Sequence, residues 1–272
     1  MLKIPVFYQP AQVSKPDSFS PSPGKPADVV ADWLAHGYPI EVIAAPAVTR
    51  EQLALAHDRA YVDAILELRR PNGFANTNPQ VAASLPYTSG SMLAAARAAI
   101  ANRRVAVSPT SGFHHASYDR GGGFCTFNGL MVTAQVLLAQ GAVKKLGILD
   151  CDQHFGDGTE DIIEQLGLRG AIRHITAGEH YARDAESFLK GLPDLVSGFR
   201  GCEVVLYQAG ADPHIEDPLG GYLSTAELHK RDRIVFANAA ALGLPIAWNL
   251  AGGYQTPLSR VLQIHNNTMK AC

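Results

Sequence analysis

The sequence predicts an α/β fold: a single domain over residues 1–272, with a mostly parallel central sheet flanked by helices on both faces. Three observations predict it. Short apolar runs of strand length alternate with segments of helical period along most of the chain. Hydrophobic residues make up 47% of 272 residues, enough for one large core without division in two. The polar, chemistry-bearing stretches follow apolar runs directly, and ligands of open α/β sheets sit outside the carboxyl ends of strands.

Residues 2–8 read as a first strand, and residues 10–26, rich in Pro, Ser and Lys, as a surface loop. Val29, Val30, Trp33 and Leu34 give residues 28–36 helical spacing; residues 40–43 form a short strand, and Thr49 caps a helix over 51–57. Residues 57–68 form an amphipathic helix. Residues 70–87 carry Pro, Gly and Asn with little periodicity and read as a long loop, functional or a lid. An Ala-rich helix over 90–101 precedes a strand over 104–107 that empties into the polar stretch ending at His114 and His115. Asn128 caps a helix over 128–140 and Gly141 stops it. A strand over 146–149, a helix over 159–166, a strand over 171–175 and a short helix over 185–192 follow. A strand over 203–207 runs on to Asp212, a long helix spans 225–242, a strand over 245–249 leads to Gly252, Gly253 and Tyr254, and a helix over 258–266 closes the chain.

Lys and Arg number 23 against 25 Asp and Glu, so no basic field recruits nucleic acid or anionic lipid. No window spans a bilayer, and the start MLKIPVFYQP lacks a basic region followed by an apolar one; a soluble cytoplasmic protein is expected. Cys125, Cys151, Cys202 and Cys272 form no CxxC and read as reduced thiols without a disulfide. Neither GxGxxG after the first strand nor GxxxxGK[ST] occurs, which removes the usual support for nucleotide chemistry. Gly121, Gly122 and Gly123 read as a flexible connection rather than a phosphate cradle.

Chemistry starts where the strand over 146–149 stops, at Asp150, Asp152 and His154. Residues two apart on an extended backbone project to one side, so all three can face one pocket. Two carboxylates and an imidazole suit a divalent metal with mixed O/N preference, zinc first; an ordinary polar strand end with a helix cap has the same letters. Asp212, at the end of another strand, is the natural third ligand beside Asp152 and His154, or else a turn cap. Three protein ligands leave a position open, the mark of a catalytic site. His114 and His115 are adjacent and point in different directions; with Asp150 and Asp157 they can form two His–Asp pairs, which is general acid–base equipment. Tyr254, on a glycine-rich backbone, can bring a phenol near the metal to stabilise an oxyanion, or is a buried tyrosine at a strand end.

The stretches FHHASYDRGGGFCTFN, LDCDQHFGDGTED, QAGADPHIEDPLGG and LAGGYQ, in this order and preceded by AHDRAYVDAI, closely resemble the histone deacetylase and acetylpolyamine amidohydrolase superfamily over residues 56–254. The resemblance implies the arginase/deacetylase-like fold and a zinc-dependent amidohydrolase that removes an acetyl or similar acyl group from an acylated amine, either a small one such as an acetylpolyamine or acetyl-lysine. It implies one zinc per chain on Asp152, His154 and Asp212. His115 is then the main general base and acid, His114 is held by Asp150 and assists electrostatically, Asp157 orients His115, and Tyr254 polarises the amide carbonyl. Gly123 and Phe124 match one wall of a narrow substrate channel and Leu219 its rim; the second wall falls within residues 178–182, at His180 or Tyr181. A structural potassium ion around Asp150, Asp152 and His154 is implied too, although residues 171–176 offer no serine for it.

Departures from the pattern matter. Phe155 stands where the family commonly has a second histidine. Asn76 and Asn78 stand in residues 71–85, where eukaryotic deacetylases place a rim aspartate that grips peptide backbone, so a small acylated amine is favoured over acetyl-lysine in protein. The sequence leaves open iron in place of zinc and a homo-oligomer in which a partner completes the channel. Two rivals remain: a two-metal hydrolase of the ureohydrolase type, which needs further Asp and His ligands, and a metal-containing binding or regulatory protein without turnover, against which Tyr254 and both histidines stand.

Overall fold

In the computed structural model, which describes residues 3–16, 18–177 and 184–272, seven strands form one parallel sheet: β1 (Ile4–Phe7), β2 (Ile40–Ile43), β3 (Val105–Ser108), β4 (Leu146–Asp150), β5 (Ile172–Thr176), β6 (Val205–Gln208) and β7 (Ile246–Asn249). Their order is β2-β1-β3-β7-β6-β4-β5. The four strands whose exits carry the unusual polar stretches are therefore neighbours at the centre: β3, β7, β6 and β4. Parallel direction brings all four exits to one edge of the sheet, which is how residues 114, 152, 212 and 254 come together.

The connecting helices are α1 (Lys25–Ala35), α2 (Arg50–Leu53), α3 (Arg59–Leu66), α4 (Pro79–Asn102), α5 (Gly129–Ala139), α6 (Asp157–Gln165), α7 (Ala185–Ser197), α8 (Thr225–Ala241) and α9 (Ser259–Ala271). Alternation along the strands divides the interior into two cores. Ala106, Ile148, Leu206 and Ala247 pack with Ile65, Met92 and Leu130 of α3, α4 and α5. Val107, Leu149, Tyr207 and Trp248 pack with Trp33, Phe188, Val235 and Ile264 of α1, α7, α8 and α9. Both faces are covered, so the strands read as continuous apolar runs. Among the described residues no helix is long and apolar enough to cross a membrane.

The second half of the long loop expected over residues 70–87 is helix. Asn78 accepts from the amides of Gln80 at 2.8 Å and Val81 at 3.3 Å, and Pro79 occupies the first helical position, where its missing N–H costs nothing. No helical period shows because α4 is buried on several sides, with small polar residues inside it; Ser91, fully buried, donates to the Phe7 carbonyl at 2.6 Å. The expected surface loop over 10–26 is also corrected. Gln12, Ser14, Ser22 and Lys25 are buried, and α1 already begins at Lys25. Backbone partners satisfy this segment, including a 3.2 Å bond from Gln12 Nε2 to the Phe7 carbonyl and a 2.8 Å bond from Ser111 Oγ to the Ser22 carbonyl. Helix α7 runs on through Pro193 because Phe188, Leu189, Leu192 and Val196 keep an apolar stripe on the second core.

His57, fully buried before α3, ties the helical layer to the loops above the sheet. Its Nδ1 donates to the Ser117 carbonyl at 2.9 Å and its Nε2 accepts the Asn128 amide at 2.8 Å, so the neutral ring is required. Burial pushes its pKa down to about 4, against the carbonyls of Ser117 and Tyr118 and the charge of Asp161. Below the ordinary value of 6.5 the unfolded chain takes a proton that the folded ring refuses, so stability is lost as pH falls from 6.5 towards about 4. The expected loss is on the order of 3 kcal/mol at the acid end. Urea unfolding midpoints from pH 7 to pH 4.5 measure it. The His57→Gln variant, less stable at neutral pH, should lose less on acidification; an equal loss in both proteins would refute the assignment.

Candidate active site

Sheet pairing ends at Asp150 and Gln208, and the chains leaving β4 and β6 each deliver a buried carboxylate. Asp152 Oδ1 accepts the His154 amide at 3.0 Å and its Oδ2 accepts the Gly252 amide at 2.9 Å. Asp212 Oδ1 accepts the Gln153 amide at 3.3 Å, while its buried Oδ2 has no hydrogen-bond partner. His154 Nδ1 lies 3.1 Å from Asp152 Oδ1 and 3.3 Å from Asp212 Oδ2. Ligand atoms of Asp152, His154 and Asp212 all fall within 4.8 Å of one another.

Electrostatics make this trio cation-seeking. Burial opposes the charge of Asp152, yet His114 and His154 hold its carboxyl well below the usual range. Burial and the charge of Asp152 push Asp212 up to about 7. Hydrogen bonds to Asp152 and Asp212 push His154 up to about 10, so an imidazolium proton stands between the two carboxylates. A divalent cation would displace that proton and take the unpartnered Asp212 oxygen; two carboxylates and one imidazole are a donor set that zinc accepts. Gly252 permits the close approach: a Cβ there would lie 2.3 Å from Asp212 Oδ2 and 2.8 Å from Asp152 Oδ2.

The loop after β3 carries both histidines, its backbone pinned by the Phe113 amide on Gln208 Oε1 at 3.1 Å and the Thr159 amide on the His114 carbonyl at 3.0 Å. His114 Nδ1 donates to Asp150 Oδ2 at 2.6 Å, and Asp150 Oδ1 accepts from the Asp152 amide and Gln208 Nε2, each at 3.1 Å. Burial works against the His114 cation, but Asp150 and Asp152 push its pKa up to about 9. His115 Nδ1 donates to Asp157 Oδ1 at 2.6 Å. Burial, then the charge of His114, lowers His115, and Asp157 only partly opposes them. The two rings lie 4.1 Å apart, one biased towards the cation and one towards the neutral base. Gly121–Gly123 leads into a tight turn over Gly122–Cys125, closed by the Gly122–Cys125 bridge, rather than forming a flexible connection. A Cβ on Gly123, at φ +52°, would lie 2.5 Å from His115 Cδ2, so only glycine lets the chain pass over that ring.

Tyr254 follows β7. Burial, with the charges of Asp152 and Asp212, raises its pKa far above the ordinary phenol value, so it remains a hydrogen-bond donor. A cavity of ≈ 220 Å³ has His114, His115, Asp152 and His154 in its lining together with Gly123, Phe124, Leu219 and Tyr254. Asp150 and Asp157 stand behind the histidines, and Asp212 behind His154. The expected second wall, residues 178–182 with His180 and Tyr181, lies outside the described residues. Phe155 is exposed, and Asn76 and Asn78 are used internally: Asn76 Oδ1 accepts from Asn72 and from the Asn78 amide, and Asn78 caps α4.

Sequence reasoning missed three buried charged groups. Lys25 is fully buried and donates to the Ala251 carbonyl at 2.7 Å; burial lowers its pKa to about 8 against Asp212, Asp152 and Asp217. Arg231 Nη1 donates to the carbonyls of Gly210 at 2.6 Å and Cys151 at 3.1 Å, bracing the backbone just before both carboxylate ligands. Asp217 accepts the Tyr254 amide at 2.8 Å. Nothing in their local sequence signals burial. Lys25 follows a Pro- and Ser-rich run, and Arg231 sits in Lys230-Arg231-Asp232-Arg233, which has the composition of a solvated helix face.

The histone deacetylase domain family matches residues 24–168. An uncharacterised protein of Picosynechococcus is 26% identical over 245 residues, covering 80% of this chain and 80% of that protein. The acetylpolyamine amidohydrolase of Mycoplana ramosa is 32% identical over 174 residues, covering 53% of this chain and 50% of that enzyme, so the chain matches half of its length. The crystal structure of an acetylpolyamine aminohydrolase from Burkholderia pseudomallei superposes with a TM-score of 0.80 at 18% identity, over 99% of this chain and 98% of that one, a likeness of fold.

Zinc titration followed by calorimetry should give one site per chain, and His154→Ala should weaken it by more than ~100-fold, beyond the effect of losing an outer-shell partner. Wild-type protein that binds no zinc would remove the metal centre.

Proposed function

Because the chain belongs to the histone deacetylase domain family through residues 24–168, we propose that it is a zinc-dependent amidohydrolase that removes an acetyl or similar acyl group from an acylated amine, with residues 1–272 as one catalytic unit. One observation carries the reading: the Asp152, His154 and Asp212 cluster shares a cavity with two His–Asp pairs and a protonated tyrosine.

In this reading Asp152, His154 and Asp212 hold the zinc, which when bound supplies Lewis-acid polarisation of the amide carbonyl and the attacking water. His115 is the base. Its Nδ1 is engaged by Asp157, which fixes the tautomer and leaves Nε2 free to take the proton of the water. The C–N bond breaks as His115 returns that proton to the leaving amine; the carboxylic acid so formed gives up its remaining proton to the amine, and the products are a carboxylate and an ammonium. His114, held towards the cation by Asp150, sets positive charge beside the developing negative charge, and the Tyr254 phenol donates to the oxyanion. Gly123 and Phe124 wall the acyl-amine path and Leu219 lines its rim. Thr176 offers a hydroxyl opposite Asp150 in the β4–β5 register, where a serine was not found, and so supports a structural potassium ion as part of the same proposal.

A small acylated amine is the proposed substrate. The likeness to an acetylpolyamine amidohydrolase supports it, as does the internal use of Asn76 and Asn78, which leaves neither to grip a peptide. Among the described residues one group of three ligands was found, which favours a single ion over a ureohydrolase-type pair. A binding protein without turnover is the second reading, and Tyr254 separates the two.

Elemental analysis of protein purified without chelators should find about one zinc per chain, and hydrolysis of a fluorogenic acetyl-lysine amide should vanish on chelation and return with zinc. Tyr254→Phe should lower kcat by about 10²- to 10³-fold and keep its zinc. Full turnover by metal-free protein would sink the mechanism, and wild-type zinc without turnover on any acyl amine would establish the binding protein. Acetylputrescine should be hydrolysed faster than an acetyl-lysine peptide; a strong peptide preference would overturn the substrate assignment.

A further inference from the structure

One buried carboxylate joins two walls of the cavity. Asp217, 5% exposed, lies between β6 and α8. Its Oδ2 accepts the Tyr254 amide at 2.8 Å and its Oδ1 accepts the Leu219 amide at 3.0 Å. The Asp217 backbone is itself anchored, since its amide donates to the His214 carbonyl at 2.9 Å and its carbonyl accepts the Gly220 amide at 3.0 Å. Two N–H donors converge on one side chain, and only a carboxylate offers an acceptor oxygen to each; an asparagine would turn an NH₂ group towards one of them.

The segment that Asp217 grips does not hold itself. Ala251 has φ +54° and Gly253 φ +143°, a backbone that persists only where surrounding bonds impose it. Those bonds come from Lys25 to the Ala251 carbonyl, from the Gly252 amide to Asp152, from the Ala211 amide to the Gly252 carbonyl, and from the Tyr254 amide to Asp217. Asp217 makes the one nearest the phenol, and it belongs neither to the ligand cluster nor to the His–Asp pairs.

We propose that Asp217 is a positioning residue: it seats Tyr254 over the cavity and ties that seat to the rim at Leu219. The kinetic consequence rests on the hydrolase reading above; the seat itself does not. With that seat released the protein keeps its fold and its metal ligands, but the phenol meets the oxyanion out of register.

Asp217→Asn is the test. It should lower kcat by between about 10- and 100-fold, the range for a misplaced catalytic group, with KM and zinc content unchanged. In a Tyr254→Phe background the same substitution should cost nothing further, which a general loss of stability would not reproduce. Hydrogen exchange should find the Tyr254 and Leu219 amides protected in the wild type and fast in Asp217→Asn, with other segments unchanged. A folded Asp217→Asn variant with wild-type kcat, or one whose loss persists in full without the phenol, overturns the proposal. So does an unprotected Tyr254 amide in the wild type, a result that needs neither turnover nor a folded variant. If the wild type hydrolyses no acyl amine, the hydrolase reading fails while amide exchange still decides the seat.

Discussion

Two carboxylates of like charge, Asp152 and Asp212, are buried at 3% and 0% exposure within ligand distance of one imidazole, and the surrounding architecture answers that charge. A pair of buried anions is expensive unless each oxygen finds a donor or a cation. Backbone amides of His154, Gly252 and Gln153 supply part of the answer, and His154 supplies a proton shared between the two. Asp212 Oδ2 has only the His154 ring near it, at 3.3 Å, and no well-formed hydrogen bond. That shortfall explains why the cluster favours a metal: a divalent ion satisfies at once the charge and the acceptor that the imidazole serves poorly.

Positive charge is also built in from behind. Arg231 bonds the carbonyls of Cys151 and Gly210 where β4 and β6 have stopped pairing, so a guanidinium does the work of the ladder bonds that end there. Its own charge is balanced by Asp232 at 2.8 Å, which in turn accepts from the hydroxyls of Tyr207 and Thr268. Lys25 arrives from the opposite end of the sequence to bond Ala251. Removing either cation would strand carbonyls in the interior and leave two carboxylates with less compensation, so both groups belong to the foundations of the site although neither lines the cavity.

The sheet and the convergence of the site were legible because both follow from short-range rules. Apolar runs bounded by Gly, Asp and His mark strand exits, and parallel strands bring exits to one edge, so His114, His115, Asp152, Asp212 and Tyr254 were readable as a group before any contact was known. What escaped reading depends on long-range burial. Helix α4 hid its start because burial on several sides erased its period, and Pro79 looked like a loop residue while acting as a helix starter. Lys25 and Arg231 hid because charge signals solvent in sequence, whereas their partners are carbonyls 226 and 21 to 80 residues away. The asparagines at 76 and 78, which stand where a rim aspartate would grip peptide backbone, are used within the chain: Asn78 caps a helix and Asn76 closes a turn.

Two strained backbone positions lie at the same place as the chemistry. Of the non-glycine residues with positive φ, Phe124 follows the glycine that passes over His115 and Ala251 leads into Tyr254. Such conformations cost on the order of 1–3 kcal/mol each and relax unless the surroundings over-determine them. Here the surroundings are β3, β7, β6 and β4, buried on both faces, the carboxylates of Asp152 and Asp217, which hold the amides of Gly252 and Tyr254, and Lys25 of α1, which holds the Ala251 carbonyl just before them. The rigid sheet is therefore what allows the loops above it to be unfavourable. It fixes the carboxylates, the carboxylates and Lys25 fix the strained segments, and the strained segments carry the phenol and the wall that an acyl amine would meet. An error in the buried charges would thus be felt first as a displaced tyrosine, before any loss of fold.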